Sequence, residues 1–145
     1  MTIPDISLMA VPDDVVAPAF ADALLDRCEA ARDRIAIVNH PSGAFGSAAV
    51  APHRDTAFGA LYCPRLHVPA PHLPIGYAVV PACGHVAGCH ARVAIASRAR
   101  EGDAELAPGG LIGAGHASGV GPLDHIMTSA AVSRLVSHGV NVIRD

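Results

Sequence analysis

Apolar positions along the chain occur either in short continuous runs or at steps of three and four, and this succession predicts strands separated by helices. Ile6, Leu8 and Val11 form a short run closed by Pro12, and Asp13 and Asp14 then offer carboxylates to the start of a helix. From Val15 to Arg32, apolar residues recur at Val16, Phe20, Ala23, Leu24, Cys28 and Ala31, while Asp22, Asp26, Arg27 and Glu29 fall mostly elsewhere. The spacing predicts an amphipathic helix with that apolar stripe turned inward, and Pro18 suits its first turn, where a missing amide hydrogen costs little. Ile35, Ala36, Ile37 and Val38 are a continuous apolar run between Arg34 and Asn39-His40-Pro41-Ser42-Gly43, the pattern of a strand buried on both faces. Strand, helix and strand in this order predict a parallel βαβ unit.

Residues 39–54 lack periodicity and read as a loop. Thr56 to Leu66 is expected to be a helix stopped or kinked by Pro64, with Ala57, Ala60 and Leu61 inward. The proline-rich stretch from Val68 to Pro74 reads as an extended surface connection, and Tyr77, Ala78, Val79 and Val80 as a short buried strand ending at Pro81. Gly84 opens a second helix over His85 to Ser97. Arg98 to Gly121 holds seven of the fourteen glycines and is expected to form a long loop or hairpin that still buries Leu106, Leu111 and Ile112. Thr128 is placed to cap a last helix carrying Ala131, Val132, Leu135 and Val136, Gly139 to stop it, and Val140 to Ile143 to form a closing strand. The expected fold is α/β, a single layered domain over residues 1–145 with a mostly parallel central sheet.

Composition narrows the chemistry. A chain of 145 residues, 51% hydrophobic, with only 3% aromatics and no Trp, must build its core from small aliphatic side chains and has no broad stacking platforms for bases or sugars. A net charge of -3 gives no electrostatic attraction to nucleic acid or anionic membrane. All ten basic residues are Arg, so Schiff-base chemistry and a P-loop lysine are both excluded. Met1 to Ala10 lacks the basic and apolar regions of a signal peptide, and Pro, Gly, His or a charge interrupts every apolar stretch before the roughly 18 residues of a membrane span. A cytosolic setting is expected, with the four cysteines as reduced thiols.

The densest cluster of reactive side chains is Cys83-Gly84-His85-Val86-Ala87-Gly88-Cys89-His90. His85 and Cys89 are four apart and meet on one helix face, yet the run has neither the paired knuckles of a structural zinc site nor the His spacing of a catalytic one. It would need Cys63 or His67 as further ligands. A small metal-dependent or thiol enzyme using Cys83, His85, Cys89 and His90 is therefore the alternative to a plain reading of these residues as core thiols and a capping histidine. Gly115-His116-Ala117-Ser118-Gly119 lacks the Gly-x-Ser-x-Gly spacing of a nucleophile elbow, and neither Gly43-Ala44-Phe45-Gly46 nor the glycines from Gly109 to Gly115 follow the order of a dinucleotide or phosphate loop.

Two longer motifs are more specific. Ala60-Leu61-Tyr62-Cys63-Pro64-Arg65-Leu66 is followed by Val68-Pro69, and Val80-Pro81-Ala82-Cys83-Gly84-His85-Val86-Ala87-Gly88 by Ala91-Arg92. In order and spacing these resemble the contractile tail sheath proteins of phages. Cys28-Glu29 with Asp33-Arg34-Ile35-Ala36-Ile37 is similar to that family's helix-to-strand junction, Gly139-Val140-Asn141-Val142-Ile143-Arg144 to its closing strand, and Ala107-Pro108 to its Lys-Ala-Pro-Ala-Asn segment. The residues that carry the resemblance are Tyr62, Pro64, Pro81, Gly84, His85, Gly88, Arg92, Gly139, Asn141 and Arg144. Arg65 stands where the family has Trp, Cys83 where it has Ser, Leu106 where it has Lys, and Val93-Ala94 where it has Thr-Asp.

The resemblance implies the subtilisin-like α/β domain of sheath proteins, a structural role with no catalytic residue and no cofactor, and assembly of the chain with itself into rings, tubes or filaments. It further implies other sheath subunits and an inner tube protein as partners, no nucleic acid, and no membrane insertion. The place implied is the bacterial cytoplasm during assembly and then the virion tail or a tail-like injection particle. The family's C-terminal domain would begin where this sequence stops at Asp145. Arg65, His67, His72, Arg98, Arg100 and Glu101 are expected in surface loops, available to neighbours.

Overall fold

In the computed structural model, which describes residues 7–11, 18–40, 54–99, 123 and 127–144, β1 (Leu8–Ala10) is followed by α1 (Pro18–Ala31) and β2 (Ile35–Asn39). Then come β3 (Gly59–Cys63), β4 (Leu66–Pro69), β5 (Tyr77–Val80), α2 (Cys83–Ala99), α3 (Ser129–Ser137) and β6 (Val140–Val142). The strands form a four-stranded sheet in the order β1-β2-β3-β6 and a two-stranded sheet of β4 and β5. All three pairings in the larger sheet are parallel: Leu8 lies opposite Ile35, Ala36 opposite Gly59, and Leu61 opposite Val140. The fold is thus α/β with a parallel central sheet, and the βαβ unit from β1 through α1 to β2 forms as expected.

Strand pleating sends successive side chains to opposite faces. Ala36 and Val38 of β2, Leu61 and Cys63 of β3, and Val140 and Val142 of β6 join α1 and α3 in one apolar core. Ile37 and Asn39, buried and pointing the other way, lie on the face where α2 packs against β1 and β2. Burying β2 on both sides explains its uninterrupted apolar run.

The inward stripe of α1 is Ala21, Leu24, Leu25 and Cys28, which keeps Leu24 and Cys28 of the expected stripe and has Ala21 and Leu25 in place of Phe20 and Ala23. Phe20 is 53% exposed and Ala23 faces solvent too. Small side chains let the helix lie close on the sheet: the Cys28 thiol reaches the Met9 sulfur at 3.9 Å, and a Cβ on Gly59 would collide with the Leu25 side chain. The helix ends at Arg32, which has a left-handed φ of 56° and returns its amide to the Cys28 carbonyl at 2.9 Å.

Residues 56–66 are not a helix. Ala57 and Phe58 form a turn, β3 enters the sheet between β2 and β6, and β4 begins at Leu66. A short apolar run ended by Pro64 fits both states locally, and two flanking parallel ladders settle it as a strand. The stretch from Val68 to Pro74 is not an extended arm either. Val68 and Pro69 belong to β4, and the chain then makes two consecutive β-turns closed by Leu73 N–H to the Ala70 carbonyl and Gly76 N–H to the Leu73 carbonyl, both 2.9 Å. Pro71 and Pro74 each occupy the second position of a turn, where the ring pre-sets φ, and Gly76 takes a φ of +74°. The strand at Tyr77–Val80 exists but is not buried: Tyr77 and Val79 are both 38% exposed, and among the described residues β5 pairs with β4 alone.

Helix α2 starts at Cys83 and continues through Arg98, placing that residue in a helix where a loop was expected. In α3 the Thr128 side chain caps Ala131 N–H at 3.3 Å, Gly139 has the left-handed φ of 78°, and Val132 and Leu135 are buried, whereas Val136 is 53% exposed. The expected positions of Ile6 and Val16, most of the loop at 39–54, the glycine-rich stretch from residue 100 to Gly121, and with it Arg100, Glu101, Leu106, Ala107-Pro108 and Gly115 to Gly119, lie outside the described residues.

Candidate functional site

The cysteine and histidine cluster occupies the first two turns of α2. Cys83 is buried at the helix start, and His85, Cys89 and His90 are half-buried along it. Among the described residues, no three His, Cys, Asp or Glu side chains converge as metal ligands. All four cysteines are free thiols. Burial pushes the Cys63 thiol up to about 11 and raises Cys28 as well, so both keep their protons at neutral pH and are poor nucleophiles. Burial also lowers the His90 imidazole, favouring its neutral form.

The residues of the two longer motifs meet at the carboxyl ends of β2, β3 and β6. Asn39, buried at the end of β2, accepts a hydrogen bond from the Cys83 backbone N–H at 2.9 Å. It caps the N-terminus of α2 from a different element, across 44 residues of sequence. The Tyr62 carbonyl accepts from His40 N–H at 2.9 Å, and Tyr62 lies opposite Asn141, whose side-chain amide donates to the Leu61 carbonyl at 3.2 Å. The Cys63 carbonyl accepts from Ile143 N–H at 2.7 Å, extending the β6 pairing past its last strand residue. Pro64, preceded by a cis peptide bond, is fully buried, and Pro81 is half-buried ahead of α2. Burial raises the Tyr62 hydroxyl above its usual value.

The remaining motif residues face outward. Gly84, Gly88 and Arg92 are exposed along α2, with nothing within 4 Å of a Cβ built on either glycine, and Gly139, also exposed, ends α3, while Arg144 is exposed after β6.

Of the residues expected to meet neighbours, His72 is exposed in the turn between β4 and β5, and His67 stacks on Tyr77 with ring centroids 4.4 Å apart. Arg65 is half-buried, its Nε without a hydrogen-bond partner. The reading of residue types overlooked the apolar outer surface of the β4–β5 hairpin. Leu73 and Ile75 precede Tyr77 and Val79 at every second position, and they are 36%, 64%, 38% and 38% exposed. Tyr77 and Val79 alternate with Ala78 and Val80 along β5 and leave one of its faces wet, while Leu73 and Ile75 lie in the turns before it. Leu66 and Val80 pair on the inner side, as do Val68 and Ala78, while the pairs His67 with Val79 and Pro69 with Tyr77 look outward.

Two polar features lie elsewhere. Arg54 reaches Asp26 at 2.6 Å, Glu29 at 3.2 Å and Asp22 at 3.4 Å, pinning the segment before β3 to the outer stripe of α1. A cleft of about 580 Å³, floored by Leu25, Val38 and Leu61 and rimmed by Arg54, Ser137 and His138, opens at the amino ends of β3 and β6. Open parallel sheets bind ligands beyond the opposite, carboxyl ends of their strands. Among the described residues no helix is long and apolar enough to cross a membrane. No protein-family model and no curated protein sequence matches this chain.

Proposed function

We infer that the protein is a structural subunit, a sheath-like component of a contractile phage-tail-like particle or injection system, which acts by assembling with itself into rings, tubes or filaments. The observation that carries this reading is how the motif residues are used. Tyr62, Cys63, Cys83 and Asn141 hold the carboxyl end of the sheet and dock α2 through backbone and side-chain hydrogen bonds, and Pro64 is buried beside them. They build a scaffold rather than a reaction centre, and among the described residues the β4–β5 hairpin leaves Leu73, Ile75, Tyr77 and Val79 exposed. The subtilisin-like domain suggested by the sequence motifs has the same layered α/β class. Assembly would take place in the bacterial cytoplasm, with other sheath subunits and an inner tube protein as partners, and the finished subunit would reside in the tail or particle. Contraction in such a particle is a rigid-body repacking of interfaces between copies, which needs no bound cofactor.

Negative-stain electron microscopy of the purified chain at neutral pH and moderate salt tests the assignment. Rings, tubes or filaments are expected, either alone or on a preformed inner tube. Dispersed small particles under both conditions would refute it.

A further inference from the structure

We draw no further inference here: the strongest candidate, the cleft of about 580 Å³ between α1 and the end of α3 at the amino ends of β3 and β6, opens on the sheet face to which a right-handed β2–β3 crossover belongs, and since residues 41–53 between those strands lie outside the described residues, nothing in the structure shows what fills it.

Discussion

Asn39→Ala removes one side-chain acceptor at the end of β2 and leaves the Cys83 N–H buried at the start of α2. Asn39 is 4% exposed and Cys83 1%, so water does not replace the lost partner. A buried backbone donor deprived of its acceptor costs about 1–3 kcal/mol, in line with about 0.5–2 kcal/mol for losing an N-cap. We expect a loss of about 2 kcal/mol, a factor of about 30 in the folded-to-unfolded ratio. For a chain of this size that corresponds to a fall of about 6–8 °C in Tm. Thr128→Ala is the matched control, because it removes the same kind of hydrogen bond, to Ala131 N–H, at an exposed helix start where water can take over. It should cost about 0.5–1 kcal/mol. Urea unfolding followed by circular dichroism measures both, with equal m-values required for the comparison. If Asn39→Ala cost no more than Thr128→Ala, the cap from β2 would not be what fixes α2 to the sheet.

Two further outcomes follow from the structure. Gly88→Ala should stabilise the monomer by about 0.5–1 kcal/mol, seen as a higher urea midpoint, because Gly88 lies inside α2 with open space where a Cβ would go; an unchanged or lower midpoint would contradict that placement. Stability should also decline in alkali. The buried Cys63 thiol is raised from the usual 9.0 to about 11, so the unfolded chain loses its proton first; this contribution is complete below pH 9, falls as pH rises towards 11, and is absent above it. The stability lost reaches about 2 kcal/mol by pH 10.5, and Cys63→Ala should flatten the slope of the urea midpoint against pH over that range.

The metal or thiol reading rests on a local cluster, which among the described residues gathers no set of three metal ligands. Cys83, His85, Cys89 and His90 are close in sequence because they share two helical turns, but a site requires side chains from several elements to point at one place. Here Cys83 is buried, and its backbone N–H donates to Asn39 at the end of β2. The hairpin is the opposite case. Its alternating residues and its two prolines each had a clear local meaning, but the burial of only one face depends on what lies beside the strand.

Sequence alone was sufficient for the α/β class, the parallel βαβ unit, the Thr128 cap and the Gly139 stop, because each rests on interactions within one turn or on a periodicity that a single element must satisfy to be buried. It placed Leu24 and Cys28 of the α1 stripe but not Phe20 and Ala23, and misplaced the state of residues 56–66 and the burial of β5. Those were decided by tertiary structure: how closely Leu25 can approach Gly59, the ladders that β2 and β6 extend to β3, and the pairing of β5 with β4 alone among the described residues. A helix face or a short apolar run has several nearly equivalent local solutions, and the free energy that separates them comes from partners far along the chain.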